Sequence, residues 1–205
     1  MTEVDFITRR RPEGVEARPM GWWGMVLLVM VIATTYGALY FSYVYVRVAT
    51  FEWPPAGIAP PPLGPPAWSA AALALSALPV AWAARGEAAR QLTHHRIGLV
   101  AAVALAAAHF AIILGDWAAQ PFGVDEHAYG SLYYVLPGIH ASLLGIGVVM
   151  ALVVFALSWH PETSLRHVGT RSLALYWYMV AAGGVLLLAV VYVTPHVWRE
   201  AMVPG

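Results

Sequence analysis

The sequence predicts an all-α, polytopic membrane protein with five transmembrane helices, and three observations predict it. The 205 residues are 60% hydrophobic and 11% charged, with mean hydropathy +0.66; a soluble domain carries about 25% charged residues. The apolar residues gather into five stretches of about the 20 residues needed to cross a hydrocarbon core of about 30 Å. The basic residues, all arginine, alternate from gap to gap. Arg9, Arg10, Arg11, Arg18, Arg85, Arg90, Arg96, Arg166 and Arg171 fall on one side, Arg47 and Arg199 on the other. The positive-inside rule puts the richer side in the cytoplasm. The expected organisation is a cytoplasmic segment 1–20, a membrane domain 21–198 and an external tail 199–205. Helices are expected at about 21–48, 67–84, 97–118, 132–159 and 172–194.

The first stretch is too long for a signal-peptide core and has no clear cleavage site, so it reads as a retained helix. Its Tyr36, Tyr40 and Tyr43 follow i, i+4, i+7 spacing and share a face. That face serves as helix–helix glue, or as a polar seam for a proton or a partner helix. The gap WPPAGIAPPPLGPP cannot continue a helix, because proline lacks an amide hydrogen and fixes φ. It reads as a stiff outer crossing, either a spacer or a docking surface.

The second and third stretches are dense in alanine, so both should pack against protein. The inner gaps RGEAARQLTHHR and HPETSLRHVGTR are short and basic, suited to anionic headgroups. The lipid-headgroup candidates are Arg47, Arg85, Arg96 and Arg171. In the outer gap before the fourth stretch, Asp125, Glu126 and His127 lack a second cluster to complete a metal site and read as a solvated loop. Pro137 should kink the fourth helix or delay its start. Trp22, Trp23, Trp53, Trp68, Trp117, Trp159 and Trp198 fall near span ends, as interfacial belt residues do.

Ionisable groups at membrane depth are costly and are functional candidates by default. They are His109, Asp116 and His140, joined by the hydroxyls of Tyr36 and Tyr43. His109 and Asp116, seven apart, share a helix face. Antiparallel neighbours would bring His109 and His140 to within about 2–3 Å in depth at about 1.5 Å rise per residue. Two readings stay open: each histidine bonds a carbonyl or tyrosine nearby, or the pair ligates a haem, as in a small membrane cytochrome b.

Other classes drop out. Without cysteine there are no disulfides, thiolate metal sites or iron–sulfur clusters. No basic patch suits nucleic acid. No phosphate-cradling glycine loop, nucleophile elbow or HExxH occurs, so no catalytic, cofactor-binding or metal residue is assigned. No internal repeat marks a transporter.

The order of landmarks carries a resemblance. Gly24-Met25 opens the first helix and Trp53-Pro54-Pro55-Ala56-Gly57-Ile58 follows it. Asp116-Trp117 and Pro121-Phe122 leave the third helix, and Tyr129-Gly130-Ser131 enters the fourth. Pro137-Gly138-Ile139-His140 lies inside the fourth, and Tyr176-Trp177 opens the fifth. The chain resembles subunit III of the haem–copper oxidases, in a divergent five-helix form, from about Gly21 to Trp198. The family's glutamate in the first of these helices appears here as Ile32, and its helix 3 glutamate as Asp116. Its HGLH becomes His140-Ala141-Ser142-Leu143, and its YWHFVD becomes Tyr176-Trp177-Tyr178-Met179-Val180-Ala181.

The resemblance implies a non-catalytic subunit of a respiratory oxidoreductase complex in the bacterial inner membrane. Haem and copper would reside in the partner, a catalytic subunit I that reduces oxygen and pumps protons, and other oxidase subunits would be present. Phospholipids would lie in a cleft between the first two helices and the last three. An accessory subunit of a nitric oxide reductase is the near alternative.

Overall fold

The structure is a computed structural model that describes residues 20–160 and 164–200, with the side chains of 164 and 198–200 outside that description. Arg9, Arg10, Arg11, Arg18, the side chains of Trp198 and Arg199, and most of the expected terminal segments therefore lie outside the described residues. Five helices follow in order: α1 Met20–Val48, α2 Gly64–Ala88, α3 Leu92–Ala118, α4 Ala128–Leu157 and α5 Ser164–Glu200. No strand occurs among the described residues, and all five helices are long and apolar enough to cross a membrane.

Four of the helices begin earlier than hydropathy alone suggests. α2 opens at Gly64 with Pro65 and Pro66 in its first turn, where the missing amide hydrogen leaves no bond unmade. α4 opens at Ala128 because the His127 ring caps it, accepting from the Gly130 amide at 2.7 Å. Pro137 is carried inside this continuous helix, so the late start expected from it does not occur. α5 reaches back through the basic segment to Ser164 and runs 37 residues, about 55 Å at 1.5 Å per residue. Hydropathy ends where charge begins, but backbone hydrogen bonding does not. α3 starts at Leu92 after a tight turn, in which the Gln91 amide donates to the Gly86 carbonyl at 2.7 Å and Arg90 takes φ 59°.

α2, α3, α4 and α5 form a four-helix bundle in which each packs on its neighbours, while the backbones of the diagonal pairs stay apart and α5 reaches α3 through the Tyr192–Asp116 hydrogen bond. α1 lies outside the bundle, laid mainly along α5, and meets neither α2 nor α3. The α2–α3 pair is the most extensive interface. This corrects the expected cleft: α2 belongs with the last three helices, so the first two do not form a separate wall.

Small residues explain the closeness of α2 and α3. A Cβ at Gly98 would fall 2.6 Å from the Pro79 carbonyl oxygen and 2.9 Å from the Ala83 Cβ. Ala102 and Ala106 continue that buried face. Gly98→Ala is expected to cost about 2 kcal/mol, the middle of the overpacking range. Gly115→Ala, with no described residue near its would-be Cβ, should not lower stability and should raise it by up to about 1 kcal/mol through helix propensity. Thermal unfolding of both variants in detergent checks the contrast.

Candidate functional site

The polar groups inside the bundle gather at two levels, both built on α5. At the first, His109 of α3 and His140 of α4 meet with ring centroids 5.2 Å apart and planes at 86°. His109 Nδ1 is bonded to Ser69 Oγ on α2 at 2.8 Å. His140 Nδ1 is bonded to the Tyr36 hydroxyl of α1 at 2.7 Å. The equal depth read from antiparallel spacing is therefore what the structure has. Both rings are about 1% exposed.

Adjacent glycines on α5 make this level possible. Gly183 receives the Tyr36 ring, to which a Cβ there would approach within 2.7 Å of Cζ. Gly184 receives the His140 ring, and a Cβ there would fall 2.6 Å from Nε2. That nitrogen has no hydrogen-bond partner among the described residues. The tautomer that strands no donor has His140 Nδ1–H donating to Tyr36, whose hydroxyl donates on to the Val180 carbonyl at 3.4 Å. Direct edge-to-face contact between the rings leaves no gap for a porphyrin between them. Haem ligation by the pair does not suit this packing, and the hydrogen-bonding reading does.

At the second level Asp116 of α3, 6% exposed, accepts from two tyrosines. Tyr192 of α5 donates to Oδ2 at 2.6 Å, and Tyr133 of α4 donates to the same oxygen. Gln120 reaches Oδ1 at 3.4 Å. One carboxylate thus ties three helices. Trp53 lies nearby and is turned into the protein: it is 5% exposed, donates to the Tyr43 hydroxyl at 3.1 Å and packs edge-on against Tyr129. The proline-rich crossing folds this one ring inward as a plug. Tyr43 is bonded in turn to Thr194 Oγ1 at 2.7 Å, and Tyr40 donates to the Gly183 carbonyl at 2.6 Å. The tyrosine face of α1 is therefore glue to α5.

Among the headgroup candidates, Arg47 is corrected: it is 4% exposed and its Nη1 donates to the Thr50 carbonyl. Arg85 and Arg171 are exposed, and Arg96 is half-buried. Of the outer loop's acidic pair, Glu126 Oε1 accepts from the Gly123 amide at 2.8 Å, closing the turn before α4.

Sequence reasoning missed a third cluster, at the arginine-rich end. Glu87 closes α2 against the start of α5, with Oε1 3.7 Å from Arg166 Nε and Oε2 2.8 Å from His167 Nδ1. It also missed Ser69, Tyr133 and Tyr192, hydroxyls with no signal beyond residue type. The glycine pair had a signal: two glycines inside a spanning helix each cost about 1 kcal/mol of propensity, which marks close packing. Among the described residues, no group of three or more His, Asp or Glu is placed to hold a metal.

Fold and site together define a multi-pass membrane protein whose intramembrane polar groups join its own helices. The family model for cytochrome c oxidase subunit III matches residues 18–199, and the chain belongs to that family. It is 25% identical over 177 residues to cytochrome c oxidase subunit 3 of Lumbricus terrestris, covering 83% of this chain and 68% of that one. The subunit 3 proteins of Damaliscus lunatus and Neotragus moschatus match at 25% over 178 residues, with the same coverage. Membership gives the chain a subunit III-like role alongside other oxidase subunits.

Proposed function

We propose that this chain is a non-catalytic subunit of a respiratory haem–copper oxidase in a bacterial inner membrane. It braces the subunit that reduces oxygen and pumps protons, and it carries phospholipids at its surface. Haem and copper belong to that partner. The termini are oriented as the arginine asymmetry reads, N-terminus cytoplasmic and C-terminus outside.

The observation that carries this reading is the unpartnered side of α1. One face is sewn to α5 by tyrosines, while Leu27, Val31, Phe41 and Tyr45 are exposed in a stripe on the other. Thr34 and Ala38 lie exposed along it with Gly37 at its edge, and no described residue stands within 4 Å of a Cβ at Gly37. The Thr34 hydroxyl is satisfied within its own helix at the Val31 carbonyl, 2.7 Å away. A small-residue stripe on an otherwise apolar face lets a second helix approach closely.

Purification through this chain is expected to bring a haem-bearing subunit with it. Gly37→Leu should lower that recovery roughly tenfold, about 1.4 kcal/mol, without changing the unfolding temperature of the isolated chain. A chain that never co-migrates with a haem-bearing subunit would end the reading. Orientation is checked separately: the chain has no cysteine, so Thr50→Cys should react with an impermeant maleimide added from outside the cell.

A further inference from the structure

We propose that the groove between α3 and α4, at the arginine-rich end of the bundle, holds one anionic phospholipid with its phosphate at Arg96. The inference rests on the membrane residence and lipid binding proposed above, and is independent of which subunit the chain braces.

α3 and α4 form the loosest of the bundle's four side interfaces, and the space left between them is a groove of about 480 Å³. Ile97, Val100 and Ala101 line it from α3, and Phe155 and Trp159 from α4. It runs on toward the membrane interior as a second hollow, where Val103 and Leu152 join Val100 and Phe155. From Arg96 to Val103 this is about 10 Å of helix at 1.5 Å per residue, an apolar track suited to an acyl chain.

The mouth of the track carries a fixed positive charge. Arg96 Nε donates to Ser158 Oγ at 2.9 Å and Nη2 donates to the Ser158 carbonyl at 2.6 Å. Its Cζ lies 3.7 Å from the centroid of the Trp159 ring. The remaining donors of the guanidinium have no protein acceptor among the described residues, and no carboxylate pairs with it there. Arginine has five N–H donors in a planar fork that matches phosphate oxygens, and here that fork is held in one place before any ligand arrives. Thr93 lines the same mouth. A basic group between helices above an apolar track selects a phospholipid with a net negative headgroup.

The test is native mass spectrometry of the full chain, or of the complex that carries it, after exchange with vesicles of equimolar phosphatidylglycerol and phosphatidylcholine. Wild type is expected to retain one phosphatidylglycerol with at least tenfold preference. Arg96→Gln should abolish the preference and Arg96→Lys should keep most of it. Val100→Trp, filling the track, should remove the bound lipid of either kind. Arg85→Gln, an exposed arginine at the same end, should change nothing. Equal losses in Arg85→Gln and Arg96→Gln would mean annular attraction only and overturn the site. So would unchanged retention in Arg96→Gln, or crosslinking of Val100→Cys to another subunit's helix. Recovery of a haem-bearing partner is read on the same samples, so failure of the lipid site and failure of the oxidase reading are separable.

Discussion

Gly184→Ala is expected to destabilise the protein by about 3 kcal/mol, the upper part of the range for adding one methyl group to a packed core. The new Cβ would lie 2.6 Å from His140 Nε2 and 2.7 Å from Nδ1. The His140 ring has nowhere to retreat, with the Tyr36 hydroxyl 2.7 Å from Nδ1 and the His109 ring against it at 5.2 Å. Relief must come from moving α4 off α5. The effect should show as a lower unfolding temperature in detergent and as lost recovery of intact chain. The pairing gives a sharper readout. In a Gly184→Ala background, His140→Ala should restore part of the stability, although His140→Ala alone destabilises. Strictly additive effects would mean that the two residues do not meet as described.

Asp116→Ala is the second large effect, also about 3 kcal/mol, because it strands two buried donors at about 1–3 kcal/mol each, with some relaxation. Tyr133 and Tyr192 lose their shared acceptor, and α3, α4 and α5 lose a common tie. Asp116→Asn keeps a carbonyl oxygen and should cost less than half as much. Tyr192→Phe removes a single donor and should fall between the asparagine variant and wild type. Chemical denaturation in mixed micelles ranks the series, and an alanine variant as stable as wild type would refute the account.

The five helices were legible because a bilayer imposes one period and one length on every crossing. Their ends were less so. Hydropathy cannot see that His127 caps α4, or that Glu87 holds the charged start of α5 against α2. The same-face relation of His109 and Asp116 and the depth match of His109 with His140 followed from helical rise alone. What the two histidines do there depended on Gly183 and Gly184, whose meaning lies in what they lack. Arg47 and Trp53 misled because position near a span end suggests exposure, while the proline-rich crossing and the tyrosines of α1 bury both. The grouping of helices was legible only in that the alanine-dense second and third stretches read as packing against protein. The resemblance set α1 and α2 apart from the last three helices, but side-chain size at Gly98, Ala102 and Ala106 binds α2 to α3 instead.

The placement of α1 has a consequence for biogenesis. Its tyrosine hydroxyls find partners 104 to 151 residues downstream, at His140, Gly183 and Thr194. α1 emerges before the other four described helices yet is among the last to be seated, and its three tyrosine hydroxyls stay unanswered in the bilayer until α4 and α5 have been inserted. Contacts of such long sequence separation form late. A chain cut short before Thr194 would present that polar seam to lipid, giving membrane quality-control proteases a mark by which to tell an unfinished subunit from a finished one.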